Sequence, residues 1–382
     1  MEQKIGIIMN GVTGRMGLNQ HLIRSVLAIR DDGGLKLTDG SKLIPDPILV
    51  GRNKTKLEDI AQKYSVTRFT TNLDDALANS EDTIFFDSAT THMRTEILTK
   101  AINAGKHVYC EKPVADNLAS AIELDRLARK HGVKNGVVHD KLYLPGLIKL
   151  KRLRDSGFFG KIISVRGEFG YWVFEGDLIP SQRPSWNYRK GDGGGIIMDM
   201  LCHWRYVLDN VVAPVKSVSC AGKVHVKERW DEEGKSYVAD ADDAAYATFE
   251  LEGGVIAQIN SSWCVRVRRD DLVTFQVDGT DGSAVAGLHH CYSQHRMNTP
   301  KPIWNPDVPQ KLNFFENWET VPDNIHFGNG FRKQWEEFLL HVVEERPWEY
   351  NLFEGAKGLQ LVECAQKSWI ERRWIDVPEL EL

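Results

Sequence analysis

The chain has 382 residues, which predicts two domains at roughly 100–200 residues each. Hydrophobic residues make up 42% of it and charged residues 26%, a soluble globular composition, and a formal net charge of −5 gives no electrostatic basis for binding nucleic acid. The sequence has neither an apolar run long enough to span a membrane nor a signal-peptide pattern, and its six cysteines lack paired spacing, so we expect a cytoplasmic protein with reduced thiols.

The first 145 residues alternate short apolar runs with helical patterns. The apolar runs are continuous, as is typical of strands buried on both faces of a parallel sheet. The predicted order is strand 4–9, helix 15–29, strand 47–50, helix 54–64, strand 83–89, helix 95–105, strand 107–110, helix 118–132 and strand 136–140. This alternation predicts an α/β domain with a parallel sheet over residues 1–145.

The pattern changes after residue 145. Strand-like runs such as 161–174 and 244–251 follow one another with few helices and with glycine-containing turns between them. From residue 329 the sequence becomes helical again. These features predict an α+β domain with a mostly antiparallel sheet over residues 146–382. Its C-terminal helix, about 353–372, is a candidate to pack back onto the first domain.

Three glycines, Gly11, Gly14 and Gly17, follow the first predicted strand with the spacing GxxGxxG. The common dinucleotide fingerprint is GxGxxG, whose glycines allow a tight turn, a close approach to the pyrophosphate and close helix–strand packing. Because this variant lies at the first strand–helix junction, it predicts a dinucleotide-binding loop. The same loop contains the further candidate contacts Thr13, Arg15 and Met16.

The second predicted strand ends in Gly51 and Arg52, where a dinucleotide-binding protein often has an acidic residue that binds the ribose. A guanidinium binds phosphate oxygens in a fork, so Arg52 favours the 2′-phosphate of NADP. An arginine can also stack on an adenine ring, which leaves NAD open. We therefore expect NADP or NAD as the cofactor, with NADP slightly favoured.

Two segments carry a resemblance to a known family. The segment GKHVYCEKPVA, residues 105–115, resembles the Glu-Lys-Pro signature of the glucose–fructose oxidoreductase and inositol dehydrogenase family (Gfo/Idh/MocA), and GGGIIMDMLCHWRYVLD, residues 193–209, looks like its second signature. The resemblance implies a Rossmann domain followed by an open-faced sheet domain. It also implies hydride transfer between a nicotinamide and a hydroxyl-bearing carbon, usually of a sugar or cyclitol. Segments 88–94 and 139–145 depart from the family's usual residues beside the nicotinamide and the substrate, which leaves the exact substrate open.

The two signatures contain the candidate catalytic residues. Lys112 follows a strand end, where ligands of such sheets bind, and a lysine near other cations can exchange a proton near neutral pH. Pro113 fixes the turn, and the resemblance suggests a cis peptide bond before it. Asp199 and His203 share one helix face, so the histidine can accept a hydroxyl proton beside an orienting carboxylate. The alternatives are an exposed turn lysine, a core histidine bonded to an aspartate, or an Asp–His metal pair.

The remaining candidate residues lie near the two signatures. The candidate cofactor contacts outside the glycine loop are Arg52, Thr90, His92, Glu111 and Trp186. The candidate substrate contacts are His139, Lys141, Trp186 and Arg189. A sugar suits flat aromatic rings combined with a few polar groups. The histidines of segment 289–295 have irregular spacing and indicate a loop rather than a metal site, so we expect no metal.

Together these features predict an NAD(P)-dependent oxidoreductase acting on a secondary alcohol or ketone of a sugar, glycoside or cyclitol. One alternative is a redox-neutral enzyme that holds its cofactor tightly and oxidises the sugar only transiently. Another is a non-catalytic dinucleotide sensor on the same scaffold. One sheet face of the second domain would be bare in a monomer, so we also expect a homodimer or homotetramer packed through that sheet, with no nucleic-acid or membrane partner.

Overall fold

The computed structural model describes residues 1–381, and these divide into two compact units. The first unit holds Met1–Tyr143, Gly328–Glu363 and residues 380–381, and the second holds Leu144–Phe327 and Cys364–Glu379. The boundary at Tyr143 lies close to the expected position 145. The second unit differs from the predicted second domain of residues 146–382, because residues 328–363 belong to the first unit.

The strands form one sheet in the first unit, and a larger sheet and a hairpin in the second. They are β1 Glu2–Asn10, β2 Leu35–Lys36, β3 Lys42–Val50, β4 Arg68–Thr70, β5 Asp82–Asp87, β6 His107–Cys110, β7 Asn135–Val137, β8 Ile162–Gly170, β9 Val215–Lys223, β10 Glu228–Trp230, β11 Ser236–Val238, β12 Ala244–Leu251, β13 Val255–Ser262, β14 Val273–Gly279, β15 Gly282–Ala286, β16 Cys291–His295, β17 Glu319–Thr320 and β18 Ile375–Asp376.

The helices connect the strands and close the two ends of the chain. The first runs over Gly17–Leu27 with π-type hydrogen bonds and continues as α1 Ala28–Asp31; the others are α2 Lys54–Lys63, α3 Leu73–Ala78, α4 Thr91–Asn103, α5 Leu118–Lys130, α6 Pro145–Asp155, α7 Ile196–Val211, α8 Gly330–Glu344 and α9 Leu352–Glu371. Asparagine side chains accept backbone N–H bonds at the starts of α2, α3, α5 and α8. Such caps satisfy amide groups that the first helical turn leaves without partners.

The sheet of the first unit has the order β2-β3-β1-β5-β6-β7, with β4 paired to β3. Its pairs are parallel except β2–β3. The chain order reverses at β1, and the carboxyl ends of the strands at such a switch point are where ligands bind. Strand β3 begins at Lys42, earlier than the predicted residue 47. The sequence did not indicate the earlier start, because Pro45 lies in it and proline argues against a strand.

A helix from far along the chain completes the core of the first unit. Trp335 and Phe338 of α8 are buried in the same apolar cluster as Ile7 of β1 and Phe86 of β5. The Phe338 ring stacks on that of Tyr109 with centroids 4.8 Å apart. Large aromatic rings bury much apolar surface, so residues 1–145 alone would leave this face of their sheet uncovered.

The second unit is built on a sheet with the order β17-β16-β15-β14-β8-β13-β12-β9-β18. Its pairs are antiparallel except β8–β13. Helix α7 packs on β9, β12 and β13. On β12 the buried Ala245, Ala247 and Phe249 alternate with Tyr246 and Glu250, which are exposed. The sheet therefore has one covered and one open face, which confirms the predicted fold class.

Candidate active site

The glycine loop joins β1 to the first helix. Gly11 has a φ of +82°, and a Cβ there would lie 2.6 Å from the backbone nitrogen of Ala89. A Cβ on Gly17 would lie 2.4 Å from the Ser88 Oγ. These two glycines therefore let the loop pack closely against the segment after β5, while Thr13 and Gly14 are exposed. This cradle, open at a helix N-terminus, fits the pyrophosphate of a dinucleotide.

Arg52 lies just beyond β3, beside the glycine loop. A Cβ on its neighbour Gly51 would lie 3.6 Å from the Thr13 Cγ2, so the strand end and the loop are adjacent. Arg52 is exposed and forms no hydrogen bond or ion pair with any of residues 1–381. Its guanidinium is thus available to a ligand, and its role as a cofactor contact stays a prediction.

The turn after β6 contains Glu111 and Lys112, both half-buried, and the expected cis peptide bond before Pro113 is present. One Glu111 oxygen lies 2.8 Å from the His21 Nε2, and the other accepts the backbone N–H of Lys112 at 3.2 Å. Trp335 donates its indole N–H to the His21 Nδ1 at 3.0 Å. Because Nδ1 accepts, Nε2 carries the proton and donates to the carboxylate.

Glu111 is held in its charged form. Burial opposes its ionisation, but the hydrogen bond from His21 and the charges of Lys112 and Arg94 outweigh burial and lower the pKa of this carboxyl. The Lys112 turn therefore begins at a fixed carboxylate. Whether Glu111 also contacts the cofactor stays a prediction.

A buried polar network lies beneath this turn and the glycine loop. Asn10 donates to Asp87 at 2.7 Å, and Arg94 donates from Nε to the same carboxylate at 2.8 Å. Arg94 also donates to the carbonyl of Ala89 at 2.6 Å and to the carbonyl of Pro113. The network ties together the ends of β1 and β5 and the turn that follows β6.

Thr90 and His92 stand at the start of α4, where both are exposed. Thr90 precedes the first helical residue, and its side chain makes no capping hydrogen bond. Both residues lie on the carboxyl side of β5, the edge at which ligands of parallel sheets bind. Their assignment as cofactor contacts stays a prediction.

The candidate substrate contacts of the first unit lie after β7. His139 is only 3% exposed, and its ring packs edge-on against Tyr350. Burial, with a smaller contribution from the charge of Lys357, lowers the pKa of His139 to about 3, so this imidazole is neutral. Lys141 pairs with Asp140 at 2.6 Å. Both assignments as substrate contacts stay predictions.

Helix α7 carries the second signature in the second unit. Its first turn is capped by Asp242, whose carboxylate accepts the Ile197 backbone N–H at 2.7 Å. Asp199 lies in this first turn and is half-buried. His203 is only 4% exposed, and its Nδ1 lies 2.5 Å from the Tyr206 hydroxyl oxygen. The structure thus places both residues on one helix, with the aspartate the more accessible of the two.

Asp199 has a charged partner that the sequence did not indicate. Arg183 donates from Nη2 to Asp199 at 2.8 Å and to Asn187 at 2.9 Å. Its guanidinium carbon lies 4.2 Å from the ring centroid of Trp263. A planar guanidinium suits this combination of stacking and forked hydrogen bonding.

Trp186 and Arg189 belong to the turn before the second signature. Trp186 is 49% exposed, which leaves its ring available to a ligand. The Arg189 guanidinium lies 4.5 Å from the ring centroid of Tyr237. Both assignments stay predictions.

Among residues 1–381, no group of three or more His, Cys, Asp or Glu side chains is arranged to hold a metal ion.

Two family models match the chain. The model described as an oxidoreductase family with an NAD-binding Rossmann fold matches residues 36–139, and that of the GFO/IDH/MocA C-terminal domain matches residues 147–285. The D-xylose dehydrogenase of Paenarthrobacter nicotinovorans is 56% identical over 382 residues, covering 99% of this chain and 98% of that protein. The chain belongs to the Gfo/Idh/MocA family.

Other members of the Gfo/Idh/MocA family are more distant. The levoglucosan dehydrogenase of Pseudarthrobacter phenanthrenivorans is 20% identical over 315 residues, covering 76% of this chain and 78% of that protein. The solved structure of a levoglucosan dehydrogenase in complex with NADH has a TM-score of 0.82 and 17% identity, and covers 99% of this chain and all of that one. At such identity the likeness shows a shared fold.

Membership of the Gfo/Idh/MocA family confirms the prediction of a nicotinamide-dependent oxidoreductase acting on sugars. The residues that sequence reasoning missed are Asn10, His21, Asp87, Arg94 and Arg183. A polar residue at the end of an apolar strand, as in MNG and FFDS, was the only local signal for two of them. The others are recognisable only from partners that the fold supplies.

Among the described residues, no helix is both long and apolar enough to cross a membrane.

Proposed function

We propose that this chain is a D-xylose dehydrogenase. The observation that carries the proposal is the 56% identity to a D-xylose dehydrogenase over 99% of the chain. A pocket that discriminates among sugars depends on a few hydroxyl contacts, and identity at this level over the whole length supports a shared set of such contacts.

We further propose how the chain's residues divide the chemistry. When bound, the nicotinamide supplies the hydride acceptor, and the residues proposed to hold the dinucleotide are those of the 11–17 loop with Arg52, Thr90, His92, Glu111 and Trp186. Lys112 and His203 exchange the proton of the reacting hydroxyl. Asp199 orients the histidine or binds a neighbouring hydroxyl. The support is the position of Lys112 at a strand end and of Asp199 and His203 on one helix face.

NADP is the cofactor we propose, with NAD as the alternative. The exposed guanidinium of Arg52 at the end of β3 supports it, since no acidic side chain follows Val50 directly to bind a free ribose 2′-hydroxyl. We also propose a homodimer or homotetramer packed through the open sheet face, and a cytoplasmic location. The six free cysteines support the location, because cytosolic thiols stay reduced.

The experiment is a substrate panel. The purified protein is mixed with D-xylose, other aldoses, levoglucosan and myo-inositol, each with NAD and with NADP, and absorbance of the reduced nicotinamide is followed. We expect kcat/KM for D-xylose to exceed that for levoglucosan and myo-inositol by about tenfold or more. A glycoside or cyclitol preferred over D-xylose would contradict the proposed substrate, and the absence of any turnover would contradict the dehydrogenase.

A further inference from the structure

We propose that Arg94 is a positioning residue that holds the turn carrying Lys112 in its working geometry. The inference rests on the proposed function, in which Lys112 exchanges a proton with the substrate. Arg94 lies on α4 and is only 2% exposed, so it is not itself a contact for a ligand.

The guanidinium makes three hydrogen bonds, which join two segments at the carboxyl edge of the sheet. Nε donates to Asp87 at the end of β5, Nη2 to the carbonyl of Ala89, and Nη1 to the carbonyl of Pro113. The last bond is made to the residue that follows Lys112. On the other side of Lys112, the Glu111 carboxylate accepts the Lys112 backbone N–H and is itself held by His21. The backbone of Lys112 is thus fixed from both neighbours.

Only an arginine can satisfy this arrangement. Three acceptors in three directions require the flat, multi-donor fork of a guanidinium, and a lysine offers one compact ammonium that cannot reach all three. Displacement of a catalytic group by about 1 Å can cost roughly 100-fold in rate. Through its hydrogen bond to the Pro113 carbonyl, Arg94 therefore affects the position of Lys112, and so kcat, as well as the stability of the fold.

The opposite edge of the sheet offers a matched control. Arg68 donates to Asp82 at 3.0 Å, and Asp82 is fully buried at the amino end of the same strand β5. The two pairs share their chemistry and their strand. They differ in that the Arg68 side chain is 27% exposed and that of Arg94 3%, and in that Arg68 lies away from the carboxyl edge and from the Lys112 turn.

The test is a double-mutant cycle in the full-length enzyme. Arg94→Lys is made in the wild type and in Lys112→Ala, and Arg68→Lys serves as the control; kcat, dinucleotide affinity and Tm are measured for each. We expect Arg94→Lys to lower kcat by about 10- to 100-fold in the wild type and by less than about twofold in Lys112→Ala, because the two residues act as a unit. Dinucleotide affinity should stay within a few-fold. Arg68→Lys should lower Tm and leave kcat within about twofold.

The outcomes separate the inference from the proposed function. Equal losses of kcat from Arg94→Lys in both backgrounds, or no loss in the wild type, would overturn the inference alone. A Lys112→Ala enzyme with near wild-type kcat would overturn both. If Arg94→Lys does not fold, Asp87→Asn replaces it, since it weakens the hold on the guanidinium while keeping the side-chain shape, and the same non-additivity is required.

Discussion

Arg52 is the residue on which cofactor choice is expected to depend. If its exposed guanidinium meets a 2′-phosphate, Arg52→Ala should weaken NADP binding by about 1.5–3 kcal/mol and leave NAD nearly unchanged, since hydrogen bonds to charged groups contribute that much. Titration calorimetry with both dinucleotides measures the difference. Equal losses for both would indicate adenine stacking, and a wild type that prefers NAD would contradict the NADP proposal.

Arg183 offers a second test at the scale of single residues. Its ion pair with Asp199 is partly shielded from water, so Arg183→Gln should lower kcat/KM by about 10- to 100-fold, equivalent to about 1.5–3 kcal/mol. The control is Arg166→Gln, because Arg166 pairs with Asp278 while mostly exposed and such pairs contribute little. Steady-state kinetics on D-xylose distinguish them. Equal kinetics for the two variants would remove Arg183 from the site.

Individual residues show how much of the candidate site could be predicted from the sequence. The glycine loop, the Lys112 turn and the Asp199–His203 pair were predicted because each lies within one contiguous segment whose spacing is meaningful. The buried network around the Lys112 turn could not be predicted, since Trp335 and His21 are 314 positions apart and Asn10 and Asp87 are 77 apart. Such contacts depend on the completed fold and leave no periodic pattern.

At the scale of elements, α8 is the clearest departure from expectation. Its amphipathic sequence predicted a helix, but nothing in that pattern says which core an apolar face joins. In the fold it places Trp335 and Phe338 in the core of the first unit. The early start of β3 was not predicted for a different reason, the Pro45 within it. The β-sheet of the second unit was predicted from its successive strand-like runs and glycine-containing turns.

Trp335→Phe tests the contribution of α8. The phenyl ring keeps most of the apolar burial but removes the N–H donated to His21, and a buried acceptor left unsatisfied costs about 1–3 kcal/mol. We expect the free energy of unfolding in urea, followed by circular dichroism, to fall by that amount. Trp374→Phe, at an exposed tryptophan, should change it by less than about 0.5 kcal/mol. Equal stabilities for both variants would contradict this role for the indole.

At the scale of the whole molecule, the open face of the second sheet predicts self-association. Tyr246 and Ile256 are exposed on neighbouring strands of that face. Light scattering at micromolar concentration should give a dimer or tetramer, and Ile256→Glu should shift it toward monomer, because a charge at the centre of an interface is unfavourable. Ile370→Glu, on the exposed side of α9, should not. A monomeric wild type would contradict the proposal.

The most direct test of the proposed mechanism concerns Lys112 and His203. The measurement is kcat on D-xylose for Lys112→Ala and His203→Ala, alongside dinucleotide affinity. Neither residue is proposed to hold the phosphates, so affinity should stay within a few-fold while kcat falls by about 10²–10⁴, the range for a positioned acid or base. Lys112→Arg should not restore activity, because arginine keeps its proton. If Lys112→Ala retains more than about half of wild-type kcat, the strand-end lysine is a turn residue and the mechanism is wrong.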